Sequence, residues 1–514
     1  MLGVPTSEPH VPFDLASHAS IIPAPRPLTG GARRRPRIVV IGAGPGGIAA
    51  GVRLRQAGYH DVVILEKAAG VGGTWWHNRY PGAACDVKSF LYSFSFDLKR
   101  DWTRPYSTQP EILAYLQAIV ARYELAPALR LRTGVAEARW DDGAARWRLL
   151  TSTGEILEAD VVVSALGMFN DLNWPDIPGL DDFGGALFHS ARWNGDHDLT
   201  GRRVAVIGSA ASAVQLVPAI ASRTARLHVF QRSAQWVLPK DDDPFTDEQM
   251  ARHVADPALV EAARREVWDR VEATITFSNP RMLQAATEAG LRAIDAVRDP
   301  ATRRKLTPTV PYGSHRPLIA NGWYPAFNHP HVELVTEPIA RITRGGVATT
   351  DGVERPLDTI VLATGFQTTR FLSAIPVVGR DGRTLSDAWR DGAHAYLGIA
   401  TAGFPNLFML YGPNTNNGSI LYMLECQLDY VVRVLQRMER EGLARVEVTQ
   451  AAQRAYNGRL QSEIDAVEVW RSHQARGYYR GASGTIVTQW PHNMGAYRAA
   501  TTADDRTAWT TSVG

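Results

Sequence analysis

Apolar residues in this chain gather in short uninterrupted runs instead of alternating with polar ones. The text RIVVIG from Arg37, VVILEK from Val62, ADVVVSALG at 159–167, RVAVIG from Arg203, RLHVF from Arg226 and DTIVLATGF at 358–366 all have this form. A strand buried on both faces needs no polar alternation, so the runs predict parallel sheets with helices on either side. Two of them open matching units, RIVVIGAGPGGIAAGVRLRQAGYHDVVILEK and RVAVIGSAASAVQLVPAIASRTARLHVFQR, each a strand, a small-residue turn, a helix and a second strand. This internal duplication predicts two βαβ units and two nucleotide sites. Between them, Glu111 to Leu125 carries apolar residues at helical spacing, and segments around Trp140 and Trp147 joined through Asp142-Gly143 predict a small β-meander. Residues 241–305 are charged, nearly free of glycine and helical in pattern through Val260–Ile275 and Met282–Val297. A Gly/Asn/Pro-rich loop at Gly412–Ser419 and an amphipathic helix bearing Leu424, Leu428, Val431, Leu435 and Met438 follow.

Length and composition narrow the class. At 514 residues the chain exceeds what one core supports, while 45% hydrophobic and 21% charged residues describe ordinary folded domains. A formal net charge of +3 is too small for the electrostatic footprint of nucleic-acid binding, and the run Arg33, Arg34, Arg35, Arg37 reads as a solvated linker end. Two cysteines, Cys85 and Cys426, form no C-x-x-C pair, so neither a dithiol centre nor a cysteine-rich zinc site is expected, and no metal site is predicted. With no apolar stretch of membrane-spanning length and no apolar leader near the start, a cytoplasmic location is expected.

The two turns carry the candidate chemistry. Gly42, Gly44 and Gly47 complete G-x-G-x-x-G, where glycines permit a tight turn and let a pyrophosphate reach a helix N-terminus. Glu66 stands 24 positions after Gly42 (66 − 42), where a carboxylate accepts hydrogen bonds from an unmodified ribose. In the second unit Gly208, Ser209 and Ala213 form the turn, Ala210 replaces the second glycine, and Arg232 stands 24 positions on (232 − 208). A guanidinium in that slot suits a 2′-phosphate, which a carboxylate would repel, with Ser233 and Gln231 able to add hydrogen bonds. FAD is therefore expected in the first site and NADPH in the second.

These motifs resemble those of the flavin-dependent Baeyer–Villiger monooxygenases over nearly everything after residue 35. The stretch Gly73, Thr74, Trp75, Trp76, His77, Asn78, Arg79, Tyr80, Pro81, Gly82, Ala83, Ala84, Cys85, Asp86 matches G-x-W-x-x-x-x-[FY]-P-G-x-x-x-D at every fixed position. A second family pattern, F-x-G-x-x-x-H-x-x-x-W-[PD], is met by Phe183, Gly185, His189 and Trp193, with Asn194 at the final place. Trp193 favours this family over the related N- and S-oxygenating enzymes, which carry Tyr or Phe there. The resemblance implies that Thr74 and Trp75 help bind the flavin. Asp86, just ahead of the apolar-aromatic stretch Phe90–Phe96, needs a cationic partner if partly buried. The family's active-site arginine matches Arg316 in Tyr312-Gly313-Ser314-His315-Arg316, with His315 in place of the usual lysine. Arg316 and Asp86 are thus the expected catalytic residues, and His189 and Trp193 are expected to act conformationally, His189 from a linker between the nucleotide domains.

The fold class implied is α/β, with two Rossmann-like dinucleotide-binding domains and a helical insertion in the second. Residues 1–35 are expected to be a mobile arm, 36–165 and 381–514 the two parts of the FAD domain, 166–240 and 306–380 the two parts of the NADPH domain, and 241–305 the insertion. The insertion and the loop at Gly412–Ser419 are expected to line the substrate pocket. By resemblance, a ketone and molecular oxygen are the substrates, a C4a-peroxyflavin attacks the carbonyl, and an ester or lactone forms while NADP⁺ stays bound. Flavin N- or S-oxygenation, an uncoupled NADPH oxidase and a non-catalytic flavin-binding scaffold are the alternatives. No obligate protein partner is evident.

Overall fold

The computed structural model describes residues 35–471, 479–481 and 483–513. The predicted arm therefore lies outside the described residues except for Arg35. Five parallel strands form the first sheet, in the order Leu407–Met409, Val161–Ser164, Ile38–Ile41, Val62–Leu65, Leu129–Arg130. Ile38–Ile41 is buried along its whole length because helices cover one face, through Ile38 and Val40, and an antiparallel meander covers the other, through Val39 and Ile41, which explains the unbroken apolar run. The second sheet has the order Val332–Val335, Arg226–Phe230, Arg203–Ile207, Thr359–Leu362, Ala186–His189, again all parallel.

The meander is Val135–Asp141, Arg146–Thr151 and Ile156–Ala159, antiparallel, with Trp140 opposite Trp147 and their rings 5.6 Å apart. A fourth strand, Val377–Val378, pairs with Val135–Asp141. The chain is thus already back against the first unit at residue 377, slightly before the expected boundary at 380. Two crossings link the sheets, and they run antiparallel to each other through the bridge Leu172–Phe366. Asn173 N donates to Gly365 O at 2.9 Å and Gln367 N to Asp171 O at 2.8 Å.

Residues 241–305 are helical, as Asp247–Ala255, Pro257–Thr274, Pro280–Ile294 and Pro300–Leu306. Three of these helices begin with an Asp or Asn cap followed by proline: Asp256, Asn279 and Asp299 each accept first-turn N–H groups, and proline has no N–H to lose there. The insertion packs on both units. Val260 and Trp268 enter the first core, while Ile294, Val297 and Leu306 enter the second. Arg264, 1% exposed, donates to the carbonyls of Phe90 at 2.6 Å and Ser93 at 2.9 Å, and Glu272 accepts from Met494 N at 2.8 Å. No helix among the described residues is long and apolar enough to cross a membrane.

Candidate active site

Both turns sit at the C-terminal ends of their parallel strands, where open α/β sheets take ligands. Gly42 has φ +104°, and a Cβ on it would stand 2.8 Å from Ala165 O; Gly208 has φ +120°, and its Cβ would stand 2.4 Å from Ala363 O. The first glycine of each turn is thus required by the neighbouring strand. Gly47 is required by the turn itself, since its Cβ would lie 1.8 Å from Gly42 O. Ala213, its counterpart, is fully buried in the second core. Gly44 and Ala210 are the N-caps of helices Pro45–Gln56 and Ala211–Ala221, and neither helix has a side-chain cap. Their first-turn N–H groups face a cavity with the positive end of the helix dipole, a cradle suited to a diphosphate.

That cavity, of about 1400 Å³, takes in Gly42, Gly44, Glu66, Thr74, Trp75, Asp86, Arg232, Ser233 and Arg316. Gly47, Gly208, Ser209, Ala213, His189 and Trp193 do not line it. Glu66 is 6% exposed, and its carboxylate is fixed by accepting from Ala43 N at 2.8 Å and Ala68 N at 2.7 Å. Arg232 is exposed and makes no ion pair with a described residue. Ser209 Oγ donates to Ser233 O at 3.2 Å, holding the segment that carries Arg232. Gln231 turns inward instead, donating to Lys305 O at 2.8 Å.

The aromatic motif folds under the first turn. Gly72 N donates to Ala43 O at 2.9 Å, and Trp75, 8% exposed, donates from Nε1 to Tyr92 Oη at 2.9 Å. At the motif's end Asp86 meets Arg316: Oδ2 accepts from Nη2 at 2.5 Å and from Nε at 3.0 Å, with the side chains 30% and 37% exposed. These residues are 230 positions apart in sequence. Burial, reinforced by the Asp86 charge, pushes the Cys85 thiol well above its usual range, and burial does the same to Tyr92. Both therefore stay protonated beside the ion pair.

His189 is placed differently from the linker position expected of it. It ends strand Ala186–His189, is 1% exposed, and its Nδ1 accepts from Ala191 N at 3.1 Å. Nε2 then carries the hydrogen and donates to Gly365 O at 3.1 Å, tying the edge of the second sheet to the returning crossing. Burial lowers its pKa to about 4, so the ring is neutral. Trp193 packs edge-on against Phe188 at 5.1 Å.

The insertion supplies no lining residue, a correction to the pocket expected from the sequence: its apolar faces are spent on the two cores. The loop at 412–419 does contribute, through Asn416 and Gly418. Sequence reasoning passed over both crossings, which line the cavity over 165–171 and 363–369, although the breaks ALG and ATG after two apolar strands marked them. It also passed over Tyr411, whose hydroxyl donates to Asn416 Oδ1 at 2.6 Å, and the cationic flank of Glu66. There Lys67 is lowered by burial and by Arg192, and His77 is lowered to about 4 by burial and by Arg192, Lys67 and Arg79.

The family model for pyridine nucleotide-disulphide oxidoreductases matches residues 39–274. A Baeyer-Villiger monooxygenase of Streptomyces coelicolor is 41% identical over 471 residues, covering 90% of this chain and 90% of that protein. A phenazine N-monooxygenase of Lysobacter antibioticus is 37% identical over 463 residues, covering 81% of this chain and 85% of that protein. Cyclohexanone monooxygenase from Rhodococcus sp. Phi1, solved bound to NADP⁺, is similar with a TM-score of 0.85 at 32% identity, covering 94% of this chain and 100% of that one.

Proposed function

We propose, from the premise that this chain belongs to the Baeyer–Villiger monooxygenase family, that it uses NADPH and molecular oxygen to insert one oxygen atom beside a ketone carbonyl, giving an ester or lactone. The observation that carries this reading is the Asp86–Arg316 pair on the wall of a cavity that also takes in both nucleotide turns. FAD bound there would supply the oxygen-activating chemistry, with NADPH as the electron source.

The remaining work falls to the chain. The uncapped N-termini of Pro45–Gln56 and Ala211–Ala221 would hold the two diphosphates, Glu66 would accept from the FAD ribose, and Arg232 would grip the 2′-phosphate of NADPH. A guanidinium does not lose its proton near neutral pH. Arg316 can therefore stabilise negative charge developing on oxygen without neutralising it by proton transfer. Asp86, by engaging Nε and Nη2 together, fixes the plane of that guanidinium. Protonated Cys85 and Tyr92 add no competing anion at this point. His189 and Trp193 shape the interdomain crossing and do not handle protons in the reaction.

The similarity to a phenazine N-monooxygenase supports a second reading, oxygenation of a ring nitrogen. Purified protein is to be mixed with NADPH, oxygen and a panel of cyclic and long-chain ketones, beside an aromatic amine and a sulfide. A ketone product heavier by one oxygen is the expected result. Oxygenation at nitrogen alone would replace the first reading by the second, oxygenation of the sulfide alone would defeat both, and so would peroxide stoichiometric with NADPH.

A further inference from the structure

The segment that carries Asp86 is held by the helix of the other nucleotide unit. Gln215 lies about one turn inside Ala211–Ala221. Its Nε2 donates to Ala84 O at 3.0 Å, and its Oε1 accepts from Tyr80 Oη at 2.9 Å and from Ala84 N at 3.4 Å. One side chain thus pairs both backbone groups of Ala84, as a neighbouring strand would, two residues before Asp86. The backbones approach closely as well: Gly82 has φ +82°, and a Cβ on it would lie 2.5 Å from Gln215 O. Tyr80 and Gly82, both fixed positions of the aromatic motif, therefore face the second nucleotide helix. The same segment is tied to the first unit by Cys85 N donating to Ser107 O at 2.9 Å and Gln109 N to Ala83 O at 2.8 Å. Residues 80–86 form a joint between the two units.

We propose that Gln215 is a positioning residue that carries occupancy of the second nucleotide turn to the Asp86–Arg316 pair. A diphosphate at the N-terminus of Ala211–Ala221 restrains that helix, because it takes up N–H groups that no side chain caps. Gln215 moves with the helix and restrains Ala84 through both backbone groups. Asp86 follows two residues later and holds the guanidinium plane. The pair is then oriented when the nicotinamide nucleotide is bound, and its segment opens more readily when it is not. Coupling of this kind needs a ligand that favours one arrangement over the other, and the hydrogen bonds of Gln215 supply the connection. The inference rests on the function proposed above only for what Asp86 and Arg316 do.

Hydrogen–deuterium exchange on the FAD-loaded protein, with and without saturating NADP⁺, tests it. In the wild type, NADP⁺ is expected to slow exchange both in 211–221 and in 80–86. In Gln215→Leu the slowing in 211–221 stays, while that in 80–86 falls by about tenfold. Tyr80→Phe keeps the Ala84 pairing and is expected to keep the protection. Should Gln215→Leu fail to hold flavin, Gln215→Glu serves in its place, since it keeps the acceptor but has no donor for Ala84 O; the same loss is expected. Equal protection of 80–86 in wild type and variant, or no effect of NADP⁺ there in the wild type, would overturn the proposal. Peroxide released per NADPH is expected to rise in Gln215→Leu, and an unchanged yield would sever the link to Arg316. Exchange needs no turnover, so a protein inactive on every ketone would defeat the functional reading and leave this one to be judged separately.

Discussion

Replacing Arg316 by alanine separates a stabilising ion pair from a catalytic one. Two unit charges about 4 Å apart attract by about 1 kcal/mol in water and about 4 kcal/mol at an effective dielectric constant of 20. The Asp86–Arg316 pair is 30% and 37% exposed, so screening and side-chain ordering reduce its net contribution to about 1 kcal/mol or less. In a chain of 514 residues that amounts to a fall in melting temperature of about 2 °C or less, with flavin content unchanged. Loss of a preorganised group facing an oxyanion is far larger, about 100- to 1000-fold in kcat. Arg316→Ala is therefore expected to be a folded, flavin-loaded protein that NADPH still bleaches, with product formation reduced about 100- to 1000-fold and peroxide rising in its place. Arg316→Lys keeps the charge but loses the planar fork to Asp86, and is expected to fall between the two. Anaerobic stopped-flow reduction, product per NADPH, peroxide yield and a melting curve make up the assay. Product formation within roughly tenfold of wild type would refute the reasoning. So would a loss of flavin and of stability in step with the loss of activity, which would make the pair structural.

Arg232→Ala is expected to lower kcat/KM for NADPH by about 10- to 100-fold, the worth of one or two charge-assisted hydrogen bonds, and to leave NADH unaffected; a preserved NADPH-to-NADH ratio would remove Arg232 from the 2′-phosphate. Gly47→Ala places a methyl group 1.8 Å from Gly42 O, so the first turn must open, and the purified variant is expected to lose its yellow flavin, read as absorbance per chain. His189 is neutral when folded, with a pKa lowered to about 4, and titrates near its ordinary 6.5 when unfolded. The unfolded chain therefore takes up the proton first as pH falls, and stability drops below pH 6.5 and recovers as pH rises. Between pH 7 and 5 this one group accounts for about 2 kcal/mol, and His77 acts in the same direction. Urea midpoints at the two pH values should show the drop, and His189→Gln, which keeps a donor for Gly365 O, should show less of it; equal slopes would place the titration elsewhere.

Legibility in the sequence followed the range of the interactions. The two βαβ units and their turns were readable because such a unit is local: strand, turn, helix and strand put Glu66 and Arg232 in matching slots without help from the rest of the chain, whereas the outer strands Leu129–Arg130, Leu407–Met409, Ala186–His189 and Val332–Val335 carried no such signal. Two of the four insertion helices, Pro257–Thr274 and Pro280–Ile294, were readable for the same reason, from their local apolar period. Their destination was not. A period of 3.6 residues tells how wide an apolar stripe is, not which surface it meets, and Trp268 and Ile294 from neighbouring helices went to different cores. Asp86 and Arg316 lie 230 residues apart, and only the family resemblance, through two separate segments, brought them together. Gln215 had no such marker. It sits on a helix whose pattern announces only a buried face, and its partners are the backbone of Ala84, 131 residues away, and the Tyr80 hydroxyl. The fixed Tyr80 and Gly82 of the motif were the available sign, since a glycine at φ +82° pressed against another helix is required by an approach between backbones, not by a ligand. Such positions record where the two nucleotide units touch, and here they lie inside the same motif that ends on the carboxylate paired with Arg316.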